Sequence, residues 1–174
     1  MNHFSELVNQ HHGLGLSQLI SEHASHVIQF VQHDRNKESR KRNLLDTWKR
    51  LGAINDKWVK LLTCGNETVE FKETCNHLVH GYSESIGDYI LEGACHAERL
   101  EKLTSAEGKF YSAINSSAQD SVTHQKWVNY TRSLVDYVNA ADYYGWNAER
   151  TWTYASDAMI AGRILGNWLD LILK

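Results

Sequence analysis

Glutamate and histidine recur four residues apart at three places in this chain, which contains ten histidines. The three pairs are Glu22 with His26, Glu73 with His77, and Glu92 with His96. On a helix, residues four apart lie one above the other, so each pair has the spacing to share a metal ion. None of them has the Glu-x-x-His spacing of ferritin-like bundle sites. The polar stripe that contains His77 and His80 points away from the apolar face of its helix, so we predict a solvated face there and no metal ligand.

Cysteine is the other residue type that binds metals, and the chain has three: Cys64, Cys75 and Cys95. Cys95 directly precedes His96, and Cys75 lies two residues before His77. Neither has the paired Cys-x-x-Cys spacing of structural zinc. Neighbouring residues on a helix point about 100° apart, so we expect neither pair to chelate. An odd number of cysteines without a framework spacing indicates reduced thiols, and with them a cytoplasmic protein.

Sequence signatures of catalysis are absent. The chain has no glycine-rich phosphate loop, no Gly-x-Ser-x-Gly and no His-Glu-x-x-His. The acidic pairs Glu67/Glu70 and Glu98/Glu101 have roughly the spacing found in magnesium-dependent, all-α nucleotide pyrophosphatases. They fall on one predicted helix, about 42 Å apart at 1.5 Å per residue, so they do not converge unless that helix folds back. We name no catalytic residue, no metal ligand and no cofactor, and we favour a protein that is not an enzyme.

Positive charge is concentrated in one segment. Between residues 35 and 60 the chain has nine Lys or Arg and three acidic residues, a balance of about +6 in a protein whose net charge is −3. A basic segment on an acidic body is suited to a polyanion or an acidic partner. No aromatic residue is interleaved with the basic run 35–42 to stack on bases, so we favour pairing with acidic helices of the same or a neighbouring chain over nucleic acid or an anionic membrane surface. The candidate binding residues are Arg35, Lys37, Arg40, Lys41, Arg42, Lys49 and Arg50.

The last predicted helix is apolar nearly all round. Ala158, Gly162 and Gly166 are four residues apart and form a ridge of small side chains that lets another helix approach closely. A helix of this kind is either central in a bundle or shared with another chain. With Trp168 as an aromatic anchor, these residues are the candidate interface of a homodimer or a complex with another protein.

The elements that must position these residues are helices. The chain contains no proline, the residue that interrupts helices most strongly. Apolar periodicity predicts helices over 16–33, 39–62, 67–103, 119–144 and 148–174, with a shorter helix from the capping-box pattern Thr104-Ser-Ala-Glu107 to about residue 115. Gly145 marks a turn. We therefore predict an all-α, up-down bundle of four to five long helices, one domain over 1–174, with a flexible N-terminal segment of about 15 residues.

Two polar residues fall on predicted apolar faces. His23 lies in the middle of the apolar face of the first helix, and we expect it to be a hydrogen-bonded core residue. Asn55 lies within a heptad seam of the second helix. Such an asparagine either fixes the register of a helix from another chain or is satisfied by a neighbouring side chain in the same monomer. The spacing alone leaves both interpretations open.

The sequence therefore predicts a non-enzymatic, cytoplasmic helical bundle that acts by binding another protein or itself, most simply as a homodimer. The first alternative is a binder of nucleic acid or another polyanion through residues 35–60. The second alternative is a metal-binding enzyme or sensor that uses Glu and His. We expect no secretory signal, because residues 1–15 lack an apolar core. We also expect no transmembrane segment, because residues 159–173 are interrupted by Arg163, Asn167 and Asp170 and are shorter than the roughly 20 residues required.

Overall fold

The structure is a computed structural model, and it describes residues 15–38, 40–64, 68–114 and 120–172. Six α-helices account for most of these residues. They are α1 (Leu16–Arg35), α2 (Arg40–Thr63), α3 (Val69–Glu92), α4 (Ala97–Ile114), α5 (Asp120–Tyr144) and α6 (Glu149–Ile172), with a 3-10 turn at Ala94–His96 between α3 and α4. No strand occurs in these ranges. The predicted all-α class is confirmed, with six helices instead of four to five. Apart from Gly15, the segment predicted to be flexible lies outside the described residues.

The predicted helix boundaries agree with the structure for α1, α2, α5 and α6, to within about two residues. The turn predicted at Gly145 connects α5 to α6, and the φ angle of Gly145 is +95°, a conformation that residues with a side chain rarely adopt. The hydroxyl of Thr151, in the first turn of α6, donates to the carbonyl oxygen of Gly145 at 2.7 Å. The same carbonyl oxygen also accepts the N–H of Ala148 at 3.2 Å, so both bonds hold the turn between α5 and α6.

The helix predicted over 67–103 is wrong, because the chain turns at Gly93. The φ angle of Gly93 is +86°, and its N–H donates to the carbonyl of Tyr89, which ends α3. The capping box predicted to begin a new helix at Thr104 is also wrong. Thr104 is buried inside α4, and its hydroxyl donates to the carbonyl of Leu100 at 2.7 Å. The helix break therefore lies about ten residues before the predicted one.

Successive helices pack side by side, and the ring closes where α6 packs on α1; α1 also contacts α5. At this closure the carboxylate of Asp170 accepts the backbone N–H groups of Leu16 and Ser17, at 2.8 and 3.0 Å. A side chain of the last helix thus caps the first helix. Within the described ranges no helix is both long and apolar enough to cross a membrane.

Aromatic side chains fill the centre of the bundle. Trp127 is fully buried, and its ring centroid lies 5.0 to 6.0 Å from those of Tyr82, Tyr111, Trp58 and Tyr130. These five residues come from α2, α3, α4 and α5, so the cluster joins most of the helices. Offset and edge-to-face arrangements at these separations contribute about 0.5–1.5 kcal/mol per pair beyond burial.

Candidate functional site

Four polar residues form a hydrogen-bonded chain through the core. Ser83 donates its hydroxyl proton to Asn55 Oδ1 at 3.1 Å, and Ser83 Oγ lies 3.3 Å from His23 Nε2. The other imidazole nitrogen, Nδ1, lies 2.8 Å from the hydroxyl of Tyr130. Because the single proton of Ser83 is used by Asn55, this network assigns the proton of the neutral imidazole to Nε2, and Nδ1 accepts from Tyr130.

This network stabilises the core and does not have the properties of a ligand-binding or catalytic site. Burial, with a contribution from the nearby His26, lowers the pKa of His23 from 6.5 to about 4, so the ring is neutral at physiological pH. The cavity that reaches Asn55 and Ser83 has a volume of about 130 Å³, well below the roughly 300–1,000 Å³ of typical ligand sites. The predicted core role of His23 is confirmed. Asn55 is satisfied within the monomer, the second of the two interpretations left open.

A buried carboxyl group lies in the same interior. Glu107 is fully buried; its Oε1 accepts the hydroxyl of Tyr111 at 2.9 Å, and Oε2 has no partner among the described residues. Burial raises the pKa of Glu107 well above its ordinary value, although the hydrogen bond from Tyr111 opposes the shift. The shift favours the protonated, neutral form of this carboxyl group at the centre of the bundle. Its burial was not predicted, because the capping-box pattern Thr104-Ser-Ala-Glu107 assigned Glu107 to the start of a helix.

Of the predicted binding residues, Arg35 is engaged within the fold. Its Nε donates to Asp142 at 2.8 Å, one terminal nitrogen donates to the carbonyl of Ile90 at 2.8 Å, and the guanidinium also pairs with Asp34. Burial alone would lower the pKa of Arg35, but the hydrogen bonds and charges of Asp142 and Asp34 raise it overall. Arg35 joins α1 to α3 and α5 and is not available to a partner in this arrangement.

The other predicted cations lie on or near α2. Lys37 is exposed just before the helix, and the side chains of Arg40 and Lys41 lie outside the described part of the structure. A basic stripe runs along one exposed face of α2, spanning about 27 Å at 1.5 Å per residue. Its members are Arg42, Lys49, Arg50, Lys57 and Lys60. Asp46 and Asp56 lie on the same face, and Asp56 faces His80 at 3.2 Å.

The predicted ridge of small residues packs inside the chain. A Cβ atom on Gly166 would lie 2.5 Å from Ser17 Cα, and one on Gly162 would lie 3.1 Å from the ring of Tyr130. Ala158 is fully buried. Close approach of a helix was therefore the right interpretation of the spacing, and the helix that approaches is α1 of the same chain.

Trp168, the fourth predicted interface residue, is half-buried at the edge of α6. Its indole N–H donates to the hydroxyl of Thr123 at 3.0 Å, and Lys126 Nζ lies 5.4 Å from the ring centroid. Both contacts are with α5 of the same chain. Trp168 therefore lies at the edge of the exposed side of α6, where its side chain packs against α5.

The opposite face of α6 is exposed and carries apolar side chains among polar ones such as Asp157 and Asn167. We call it the outer face, and its apolar side chains are those of Trp152 (43% exposed), Ile160 (43%), Ile164 (49%) and Leu171 (63%). At 100° per residue, Ile160, Ile164 and Leu171 fall within about 40° of one another. Tyr143, 81% exposed, lies at the α5–α6 turn. The all-round apolar character of this helix was visible in the sequence, but which face would be exposed was not.

Three possible metal ligands meet at the corner between α3 and α4. The side-chain donor atoms of Glu92, Cys95 and His96 lie within 4.8 Å of one another. The sequence offered Glu92/His96 and Cys95/His96 as separate pairs, and the structure places the donor atoms of all three residues together, beside a 3-10 turn after Gly93. Whether Cys95 and His96 chelate an ion stays a prediction.

Comparison with known proteins gives no relative for the chain: no family model, no curated protein and no solved structure matches it. The function of this protein must therefore be inferred from its residues and their arrangement.

Proposed function

We propose that this protein is a helical bundle that works by self-association, with two copies pairing through the outer faces of their α6 helices. The observation that carries the proposal is the exposure of Ile160, Ile164 and Leu171 on one side of α6, over about 17 Å at 1.5 Å per residue. Apolar residues that cluster on an exposed face mark interaction sites in soluble proteins more than isolated ones do.

The spacing along the outer face favours a second copy as the partner. Ile160, Ile164 and Leu171 are separated by 4 and 7 residues, as apolar positions of a heptad pattern are. In an antiparallel pair with its two-fold axis between Ile160 and Ile164, Ile160 of one copy opposes Ile164 of the other. In the same register, Asp157 opposes Asn167 and Thr153 opposes Leu171. The centre of the interface is then apolar and self-complementary, as a two-fold interface requires, with polar residues on either side of it.

The test is the concentration dependence of mass, measured by analytical ultracentrifugation and native mass spectrometry. Ile160→Glu and Ile164→Glu each place a carboxylate opposite an apolar residue in both copies, at about 1.4 kcal/mol or more per copy, so we expect the dimer Kd to rise about 100-fold or more. Val69→Glu is the matched control, because Val69 is also exposed and lies on α3. A monomeric wild-type chain at high micromolar concentration would refute the proposal.

The register has its own test. Asn167→Asp puts two carboxylates opposite each other and should weaken the dimer, and Asn167→Lys should strengthen it. Adding Asp157→Lys to Asn167→Asp should restore association, because the charges are then complementary. If the double variant associates no better than Asn167→Asp alone, the antiparallel register is wrong even where a dimer forms.

The basic stripe of α2 supports a second candidate function, the binding of a polyanion. None of its five cations forms an ion pair with a carboxylate in the described part of the chain, so they remain available to phosphate groups. With a single-stranded oligonucleotide as the probe, affinity should fall steeply with salt. Lys49→Glu/Arg50→Glu should weaken it at least tenfold, and Lys102→Glu/Lys109→Glu, two cations on α4, is the control. Equal effects of the two double variants would indicate non-specific attraction only.

A further inference from the structure

The corner between α3 and α4 is built by a short and unusual stretch of backbone. α3 ends at Glu92, Gly93 takes a φ of +86°, and Ala94–His96 form a 3-10 turn before α4 begins at Ala97. Cys95 and His96 follow Glu92 by three and four residues, a spacing that places side chains on the same side of a helical turn. The thiol, the imidazole and the carboxylate lie together there, with all three donor atoms within 4.8 Å of one another.

We propose that Glu92, Cys95 and His96 form a zinc site, with the fourth position open to water or to a ligand from another molecule. The donor set decides the metal. A thiolate, an imidazole and a carboxylate together suit Zn²⁺, which accepts sulfur, nitrogen and oxygen ligands in tetrahedral geometry. Mg²⁺ and Ca²⁺ take oxygen ligands and do not use a thiol. As the ion binds, the Cys95 thiol releases its proton to solvent and Sγ becomes a ligand.

The three side chains need only a small movement to reach the geometry that zinc requires. The donor atoms lie within 4.8 Å of one another, and His96 Nε2 and Glu92 Oε2 are hydrogen-bonded at 2.5 Å. The Cys95 thiol donates to the backbone carbonyl oxygen of Glu92 at 3.5 Å, a bond that it would give up on binding the ion. With metal–ligand distances of about 2.0–2.3 Å, tetrahedral ligands lie roughly 3.3–3.8 Å apart, so the donors need to move by about 1 Å. Glu92 and Cys95 are exposed and His96 is half-exposed, so such movement disturbs no core packing.

The surroundings leave the site open to a cation. The nearest positive side chain on α4 is Arg99, which pairs with Asp88 at 2.6 Å and with Glu84 at 3.4 Å and is thereby balanced by carboxylates. Cys95 also lines a groove of about 800 Å³ between α3 and α4. A ligand in that groove could reach the open coordination position, whereas Cys75 is buried and cannot take part.

The experiment uses the full chain, stripped of metal with a chelator, and titrates it with Zn²⁺ by calorimetry and with Co²⁺ by absorption spectroscopy. We expect one ion per chain and a thiolate-to-cobalt charge-transfer band. Cys95→Ser, His96→Ala and Glu92→Gln should each raise the Kd at least about tenfold, the smallest effect usual for residues that only orient ligands. Cys64→Ser and His80→Ala are the matched controls, and we expect their Kd to stay within twofold of wild type.

A second measurement keeps the inference falsifiable if a variant folds poorly. In the Cys64→Ser background, Zn²⁺ should slow the reaction of Cys95 with a thiol reagent at least tenfold, since coordination removes the free thiolate. No protection, or a wild-type Kd equal to that of Cys95→Ser, would overturn the proposal. The site does not depend on self-association, because Ile160→Glu leaves all three ligands in place and should bind zinc as the wild type does.

Discussion

The carboxylate of Asp170, on the last helix, caps the first helix through Leu16, with 2.8 Å between Oδ1 and the backbone nitrogen. Oδ2 accepts the N–H of the next residue, Ser17, at 3.0 Å. The residue at the N-cap position, Gly15, provides no side-chain cap. The first N–H groups of a helix have no partner within it and carry partial positive charge, so a carboxylate is the most favourable partner. One side chain thus links α6 to α1 and closes the ring of described helices.

The first prediction concerns this cap. Asp170→Ala should lower the free energy of unfolding by about 1–2 kcal/mol, because two backbone N–H groups lose a charged acceptor. For a chain of this length that corresponds to a fall in Tm of about 2–4 °C per kcal/mol. Asp136→Ala, which removes an exposed carboxylate on α5, is the control. Equal destabilisation by the two changes, measured by denaturant titration, would show that the cap contributes nothing.

The second prediction concerns the contact between α6 and α1. Gly166→Ala should destabilise the monomer by about 1–3 kcal/mol or more, because its Cβ would lie 2.5 Å from backbone atom Ser17 Cα. Gly52 lies in α2 with no atom within 4 Å of an added Cβ, so Gly52→Ala should stabilise by up to about 1 kcal/mol. Comparison of the two variants separates the cost of close packing at Gly166 from the gain in helix propensity, which both substitutions share. Stabilisation by both changes would mean that α6 and α1 are not in close contact.

Helical periodicity predicted most of this fold because apolar residues at 3.6-residue spacing specify both a helix and its buried face. It could not place the break at Gly93. Gly81, Gly87 and Gly93 all lie in the same periodic stretch, and only Gly93 adopts a positive φ. Local sequence does not distinguish a glycine that packs within a helix from one that ends it.

Sequence spacing also predicted the candidate sites only in part. The ridge of Ala158, Gly162 and Gly166 predicted close approach of a helix, but spacing defines a face of one helix and not the identity of the helix that covers it. The sequence suggested Glu92 with His96 and Cys95 with His96 as two separate pairs. Whether all three donor atoms face one point depends on side-chain rotamers and on the turn after Gly93, and residue spacing specifies neither.

The third prediction is a pH dependence due to His23. Burial lowers the pKa of His23 to about 4 in the folded state, whereas the unfolded residue titrates near 6.5. Between these values the unfolded chain binds the proton and the folded chain does not. The stability that the neutral imidazole contributes is therefore present above about pH 6.5 and is lost as the pH falls towards 4, by up to about 3 kcal/mol.

The measurement is the free energy of unfolding between pH 4.5 and 7, compared between wild type and His23→Gln. We expect a weaker dependence on pH in the variant, because glutamine does not titrate. His77→Gln, an exposed histidine on α3, should keep the wild-type profile. Parallel profiles for wild type and His23→Gln would contradict the proposed role of burial.

The fourth prediction has the opposite sign and concerns Glu107. Burial raises the pKa of this carboxyl group in the folded state, so the unfolded chain loses the proton at a lower pH than the folded chain does. Stability due to Glu107 is thus fully present below the ordinary pKa and falls as the pH rises, by up to about 1.4 kcal/mol per pH unit. Glu107→Gln should flatten this decline and become more stable than wild type as the pH rises from 5 to 8. Denaturant titration across this range checks the prediction, and Glu101→Gln, at an exposed position of α4, is the control. A stability profile of Glu107→Gln that falls as steeply as the wild-type profile would show that the carboxyl group does not remain protonated in the fold.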